Sequence, residues 1–511
     1  MRLDARAENL RLVRMLFWVL LSGIVAGLIL PLTHGLAGRQ DADGVLTALI
    51  STRKLTWYFW EQDRFLNLIP ALTTPVKDPG INLHAQLFLR ACLGYLAPLG
   101  ILVFFTRSTR TLLLAIALAN AFLICSLKSY GQFNLYVQHN PFGTSLVLFA
   151  LAYLLTSQQS AARLLSAGLL CLLAYATNFA LLVFTGPLLF LLMVLRKDDR
   201  VRLFGFGLLN AAAIVGAFVH SKRMKLQATD FGVALSMDSF HQAAAVLCEQ
   251  LKLPVVFCLL ALTAACLATL SLTGENRRAR LRGLSAPLLA GLIMFVAISM
   301  AVWVKMNDFN LRYFMTAEIA VASVMAYLVA LRLEQTRVSA MWLGLMMAAV
   351  YAAVIFGSLG GFSANYQEMV NENRRAQTKL LAQAAVDLRS TVIAGDFWDV
   401  WPVVYETQRL RADDAQPLPI FGAAQRASVL GKAFQEQAAR DGNLGSNTQG
   451  LLCLLATVDA CVAEVRDRLH ISQQSRIDVD AVTPMILAGK PMLDIRFRLS
   501  RHNGEISGTH R

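Results

Sequence analysis

The sequence predicts a polytopic α-helical membrane protein, of about eleven transmembrane helices, that ends in a soluble α/β domain. Three observations predict it. The 511 residues are 56% hydrophobic and only 16% charged, with a mean hydropathy of +0.52, too apolar for an ordinary soluble chain. Long apolar runs recur along the first two thirds. The composition then turns polar and charge-balanced after Gly360–Gly361.

The runs come first. About 20 mostly apolar residues cross the hydrocarbon core as a helix. The chain offers such runs at 15–34, 86–105, 109–127, 142–157, 162–178, 179–196, 201–219, 254–273, 286–305, 313–332 and 340–359. Asn178 divides the fifth from the sixth, so that pair also reads as one broken or re-entrant element. The first run is too long for a signal peptide and lacks a small-residue cleavage site, which makes it a retained first helix. Residues 1–361 therefore form the membrane half and 362–511 the soluble domain.

Charge orients the spans. The chain carries a net charge of +14, yet residues 362–511 hold 17 Lys/Arg against 17 Asp/Glu, so the excess lies in the membrane half. That location argues against nucleic acid and for topology, because Lys and Arg stay cytoplasmic. With Arg2, Arg6, Arg11 and Arg14 inside, the compact clusters at Arg107/Arg110, Arg196–Arg202, Arg277–Arg282 and Arg332/Arg337 also fall inside. Lys222, Arg223 and Lys225, in a longer outer loop, are the exception. An odd number of spans leaves the tail outside. The expected location is a bacterial inner (cytoplasmic) membrane, with the N-terminus cytoplasmic and the C-terminal domain periplasmic.

Six of the eight cysteines lie in or beside spans, where Cys behaves as a small hydrophobe. Cys453 and Cys461 lie in the tail, where both a disulfide and two free thiols remain open, and no spacing matches a zinc site.

The outer side carries the elaboration. A loop at 35–85 follows the first helix, and loops of its length are usually functional or disordered. Its aromatics alternate through Trp57, Tyr58, Phe59, Trp60, Phe65, Leu66, Leu68 and Ile69, which predicts a folded, interface-lying element. In the tail, a polar helix over 366–388 leads to strands at 390–395, 417–422 and 451–457. One or two more fall within 484–499, with helices between, the pattern of a small α/β domain. It holds no GxGxxG and no P-loop.

Two acidic pairs stand in the first loop, Asp41/Asp43 and Glu61/Asp63. Carboxylates two residues apart can share a divalent cation such as Mg or Mn, and a single one can act as general base on an acceptor hydroxyl. Surface acids are more often simply solvated. At the ninth and tenth spans, Lys305 and Arg312 can hold a phosphate, with an interfacial anchor as the equal alternative. Glu318 is the one acid well inside a run; intramembrane carboxylates are costly and are functional candidates, although a structural pair, for instance with Arg90, fits as well. His139, in an outer loop without acids, is a candidate polar contact. Trp398 and Asp399 form an aromatic–carboxylate group suited to a sugar, with packing of Trp398 and Trp401 as the blander reading.

Three segments resemble the GT-C superfamily of integral membrane glycosyltransferases, which includes protein mannosyltransferases, oligosaccharyltransferases and aminoarabinose transferases. They are QDADG with WEQDRFLNLIP in the first loop, NDFNLRYF at 307–314, and VIAGDFWDVWPVVY at 392–405. The layout matches too: one helix, a long acidic outer loop, many spans and an outer C-terminal domain. The resemblance implies an inverting transferase that moves a sugar from a polyprenyl-phosphate donor to a glycan, lipid or protein acceptor. It implies that the base is an acid of the first loop, Asp43 by its distance from the first helix, with Asp41, Glu61 and Asp63 in the same set. It casts Arg312 and Lys305, with Glu318, as the lipid-phosphate site, and His139, Trp398 and Asp399 as sugar or acceptor contacts. The loop at 128–141 lacks the further acid that metal-dependent relatives supply, which leans toward a metal-independent enzyme.

Two other classes compete. A transporter or flippase of a lipid-linked sugar is expected to show inverted repeats and broken helices, and apart from Asn178 the sequence shows neither. A non-catalytic membrane scaffold leaves the acidic loop incidental. A large outer domain fits the enzyme better.

Overall fold

The computed structural model describes residues 2–34, 41–62, 65–138, 141–157, 160–224, 235–270, 275–335, 372–412, 418–443, 448–472, 475–487 and 489–501. It divides into two compact units: 1–37, 63–69 and 84–369 form one, and 38–62, 70–83 and 370–511 form the other.

The first unit is a helical bundle of a multi-pass membrane protein. Each of the first ten apolar runs lies on helix: α1 (Arg2–His34), α4 (Pro79–Leu96) continuing in α5 (Leu99–Leu102), α6 (Thr109–Ser126), α8 (Pro141–Leu155), α9 (Ala161–Thr177), α10 (Leu181–Leu195), α11 (Arg200–Met224), α13 (Leu253–Leu270), α14 (Glu275–Ser299) with α15 (Val302–Lys305), and α16 (Met315–Gln335). The eleventh run, 340–359, lies outside the described residues. Five of these helices, within Leu12–Leu30, Pro79–Leu102, Thr109–Ser126, Arg200–Arg223 and Met315–Glu334, are long and apolar enough to cross a membrane unaided. Asn178 caps α9 and separates it from α10, so the pair is two helices rather than one.

Within lipid the helices gain little from burying apolar surface, so close backbone approach and buried polar pairs hold them together. Both are present. The Tyr175 hydroxyl lies 2.8 Å from the Thr185 hydroxyl and donates to Asn210 Oδ1 at 2.7 Å, which ties α9, α10 and α11. On α6, Asn120 donates to the Tyr95 carbonyl (2.9 Å) and accepts from the Tyr136 hydroxyl (2.7 Å) on α7 (Ser129–Tyr136). Gly94 lets α4 and α7 touch: a Cβ there falls 2.3 Å from the Leu135 carbonyl oxygen.

The second unit contains the soluble α/β domain. Its sheet has the order β2-β1-β3-β5-β4, built from β1 (Val392–Ala394), β2 (Phe421–Ala423), β3 (Gln449–Cys453), β4 (Ser475–Leu487) and β5 (Lys490–Arg501). The first three pair in parallel and the last two form an antiparallel hairpin whose β5 joins β3. Burial on every residue of β1, β2 and β3 matches parallel strands covered on both faces. Helices α17 (Glu372–Asp387), α18 (Phe397–Leu410), α19 (Gly431–Asn443) and α20 (Val458–Arg468) separate the strands as the alternation predicts. The hairpin starts at Ser475, earlier than the strand read from 484; Ile477, Asp478, Val479 and Asp480 alternate apolar and polar, the period-two pattern of a strand.

The first loop differs from its expected place. The sequence reading kept 35–85 with the membrane half. In the structure 38–62 and 70–83 fold with 370–511, and α2 (Ala42–Thr52), buried almost throughout, packs against α18. The aromatic alternation is not a strand: Tyr58, Phe59 and Trp60 are all buried in succession. In α3 (Leu68–Thr73) and its surroundings, Ser51 donates to the Pro70 carbonyl, and Asn82 donates to the Ser51 hydroxyl and the Thr73 and Val76 carbonyls.

Cys453 and Cys461 are disulfide-bonded across the β3–α20 connection, with Cα atoms 5.9 Å apart. Replacing both by Ser is expected to lower unfolding stability by about 2–3 kcal/mol, read as an earlier thermal transition of the full-length protein in detergent; thiol mass-tagging of the wild type should reach these two residues only after reduction. In the membrane unit, Gly94→Ala forces α4 away from Leu135 and is expected to cost about 1–3 kcal/mol, visible as a lower transition temperature in the same measurement.

Candidate functional site

Asp41 and Asp43 begin α2. Asp41 is its N-cap, accepting from the Gly44 amide at 2.8 Å, and so satisfies a helix-start donor that has no partner within the helix. Asp43 sits in the first turn. Residues two apart at a helix start do not face each other, so this pair does not fit a shared divalent cation. Asp43 instead meets Arg426, whose Nη1 donates to its Oδ1 at 2.9 Å. The two side chains keep 14% and 20% of their surface, so the pair is half-sheltered and still reachable.

Arg426 follows β2 in a left-handed backbone conformation, φ +74°, which non-glycine residues seldom adopt. Its guanidinium carbon lies 4.5 Å from the centroid of the Phe59 ring and 4.9 Å from that of the Phe397 ring. Arg makes such cation–π contacts more often than Lys.

Glu61 is also left-handed, φ +55°, and its carboxylate takes two backbone donors: the Arg426 amide on Oε2 at 2.9 Å and the Ser428 amide on Oε1 at 2.8 Å. Beside it the buried Trp60 meets the buried Trp401 edge to face at 5.8 Å. Trp60 Nε1 donates to the Lys54 carbonyl and Trp401 Nε1 to the Gln425 carbonyl. Arg53 reaches Gln408 Oε1 at 2.6 Å and the Ile420 carbonyl, and Lys54 reaches the Val429 carbonyl at 2.7 Å. Burial, with Arg411 nearby, pushes the Arg53 guanidinium down to about 10. Asp63, two residues after Glu61 in sequence, lies outside the described residues.

At the start of α18, Asp396 caps the helix by accepting from the Trp398 amide at 2.8 Å. Trp398 is 45% exposed, while Trp401, three residues on, is wholly buried. Asp399 lies 3.9 Å from Lys490 Nζ at the turn of the β4–β5 hairpin. Trp398 thus keeps part of its ring open, with the Phe397 ring edge-on at 5.1 Å and the Asp399 carboxylate next in sequence, whereas Trp401 packs against β2, where a Cβ on Gly422 falls 3.0 Å from its ring.

The remaining candidates belong to the membrane unit. Lys305 ends α15 and is exposed. Arg312 stands in the short 3-10 turn Leu311–Tyr313, which Asn310 caps by accepting the Arg312 amide. Its guanidinium lies 5.0 Å from the Tyr313 ring and donates to the Tyr313 hydroxyl at 3.0 Å, and Trp303 meets that ring edge-on at 4.7 Å. Glu318 falls in the first turn of α16, and its Oε2 is buried with no hydrogen-bond partner among the described residues. The proposed pairing with Arg90 does not occur: Arg90 donates to Gln86 Oε1 and the Val137 carbonyl instead. His139 lies outside the described residues. Among those residues no three His, Cys, Asp or Glu side chains come together as a metal site.

The structure therefore brings Asp43 and Glu61 to one residue, Arg426, that sequence reasoning did not single out. No local signal marks it. It is one arginine in a neutral domain, and its partners lie 383 and 365 residues earlier.

No family model matches the chain, and no curated protein matches it. Among solved structures, it is similar to the crystal structure of ArnT from Cupriavidus metallidurans in the apo state. The two superpose with a TM-score of 0.53 at 11% identity, covering 94% of this chain and 97% of ArnT. Membrane bundle and α/β domain are thus matched over nearly the whole length of both proteins, and the chain has the ArnT-like fold that its GT-C resemblance implied.

Proposed function

We propose that the chain is an integral membrane glycosyltransferase. It moves a sugar from a polyprenyl-phosphate donor to an acceptor of the cell envelope, with inversion at the anomeric carbon. The observation that carries this reading is the fold shared with ArnT across 94% of the chain. The proposed orientation puts the N-terminus in the cytoplasm and the α/β unit outside. The arginine clusters support it, as does the Cys453–Cys461 disulfide, a bond favoured in oxidising compartments.

The transfer needs a base for the acceptor hydroxyl and a cation for the leaving phosphate. Of the acids in the first loop, Asp41 caps a helix and Glu61 accepts two amides, so both are committed to structure. Asp43 is the acid that the resemblance favours by its distance from the first helix, and it accepts from the Arg426 side chain. We assign it the base. Its carboxylate takes the hydroxyl proton as the acceptor oxygen bonds to the anomeric carbon. The bond from that carbon to the phosphate oxygen breaks, and its electron pair leaves on the polyprenyl phosphate. Arg312 is the proposed cation for that phosphate, with Lys305 beside it in sequence. Trp398 and Asp399 are the proposed acceptor contacts, a ring face for sugar CH groups and a carboxylate for hydroxyls. Asp63 and His139 stay in the candidate set on sequence alone. No step passes through a metal.

The test replaces Asp43, Asp63 and Arg312 singly in the native host and follows glycan-bearing envelope components by mass spectrometry. Asp43→Asn and Arg312→Gln are expected to reduce one glycan at least 100-fold while the protein still inserts. If every variant inserts and all glycans are unchanged, the transferase reading fails. Glu61→Ala should behave differently. It leaves two amides without their carboxylate, so the stretch 54–62 is expected to become protease-sensitive and the protein to lose about 2–3 kcal/mol of stability, with transfer falling only in step with the folded fraction.

A further inference from the structure

We infer that Arg426 is a positioning residue: held against the rings of Phe59 and Phe397, it fixes the Asp43 carboxylate in the orientation required of the base. The inference rests on the assignment of Asp43 made above.

Three features separate this role from a plain fastening of the first loop. The loop is already fastened without the Arg426 side chain. Glu61 binds the Arg426 and Ser428 amides, Trp60 meets Trp401, Arg53 reaches Gln408 and Ile420, and Lys54 reaches Val429. None of these needs the guanidinium.

The guanidinium is also immobilised more fully than a surface ion pair requires. Rings at 4.5 and 4.9 Å restrict where the guanidinium can go, and its Nη1 meets Asp43 Oδ1 at 2.9 Å. A long side chain in an ordinary exposed pair loses rotamer freedom for little gain. Here the two ring contacts offset that cost.

The backbone at both ends is fixed as well. Asp43 lies in the first turn of α2, whose other residues up to Ser51 are buried. Arg426 is held in its left-handed conformation by the Glu61 bond to its own amide. Strained backbone geometry of this kind persists where surrounding contacts over-determine it, often at functional sites. The pair nevertheless remains reachable, with 14% and 20% of the two side chains exposed, so an acceptor hydroxyl has access to the carboxylate. A base held within a few tenths of an ångström of its working position loses rate steeply when the support is removed.

The experiment uses full-length protein in the native host, with the glycan readout above, and isolated membranes that retain their own lipid-linked sugars. Arg426→Gln is expected to lower product at least 30-fold while its thermal transition and the protease resistance of 54–62 stay near wild type. Arg426→Lys should recover at least five-fold over Arg426→Gln, because a cation returns without the planar fork. Ethylguanidinium added to membranes carrying Arg426→Ala should restore product by taking the place of the guanidinium beside Phe59 and Phe397, with no change for Asp43→Asn. Equal product from the Lys and Gln variants, or product from Arg426→Gln above half of wild type, overturns the inference while leaving Asp43 as base. If Asp43→Asn itself keeps full product, the assignment of the base has failed instead. Should Arg426→Gln not fold, the Lys variant and the ethylguanidinium arm decide: no recovery in either overturns the role.

Discussion

Glu61 is the point on which the second unit turns. One carboxylate accepts the amides of Arg426 and Ser428 and so joins two stretches of chain 365 and 367 residues apart. Buried amides without partners are expensive, and the turn after β2 finds its acceptor in the first loop rather than in its own neighbourhood. Around that bond the fit is completed by Trp60 against Trp401 and by the Asp43–Arg426 pair. The α/β domain as read from the tail alone is therefore short of a piece: α2 and the stretch through Gln62 supply it.

Two kinds of cohesion operate in one chain. In the membrane unit, contact is achieved by removing side chains, as at Gly94, and by polar links such as Tyr175 with Thr185 and Asn210. In the second unit, large aromatic and charged groups do the joining. Gly422 marks a place where this second mode also needs a missing side chain, since the Trp401 ring lies against β2. Catalytic candidates occur in both settings, and their surroundings differ accordingly. Arg312 rests on its neighbour Tyr313, Glu318 has a buried oxygen without a partner, and Asp43 is gripped by a fixed cation.

The helices were legible because their signal is local. A run such as 109–127 carries its own hydropathy and ends in its own caps, and the helix found is Thr109–Ser126. The short parallel strands were legible for the same reason, each being a few apolar residues bounded by turns. The acids were recognisable as acids and no more. Nothing within ten residues of Asp43 distinguishes it from Asp41, yet one carboxylate caps a helix and the other meets an arginine far along the chain. Glu318 shows the complement: the reading that it pairs with Arg90 was sensible electrostatics, and the structure gives Arg90 to Gln86 and a carbonyl instead. Long-range pairing is set by the three-dimensional path, which hydropathy and spacing do not encode.

The placing of Tyr58, Phe59 and Trp60 has a consequence for biogenesis. These buried rings are made early, and the residues that cover them, Trp401 and Arg426 among them, are made late. At roughly 5–20 residues per second, the wait is roughly 20–70 s. Throughout that interval the first loop is an incomplete fold that displays three consecutive aromatic residues. A chaperone that holds such a segment, or a protease that trims it, would act in this window, and a ribosome that stops short of the tail would release a chain with its first loop permanently unfinished. Completion of the second unit thus reports that the last segment of the protein has arrived.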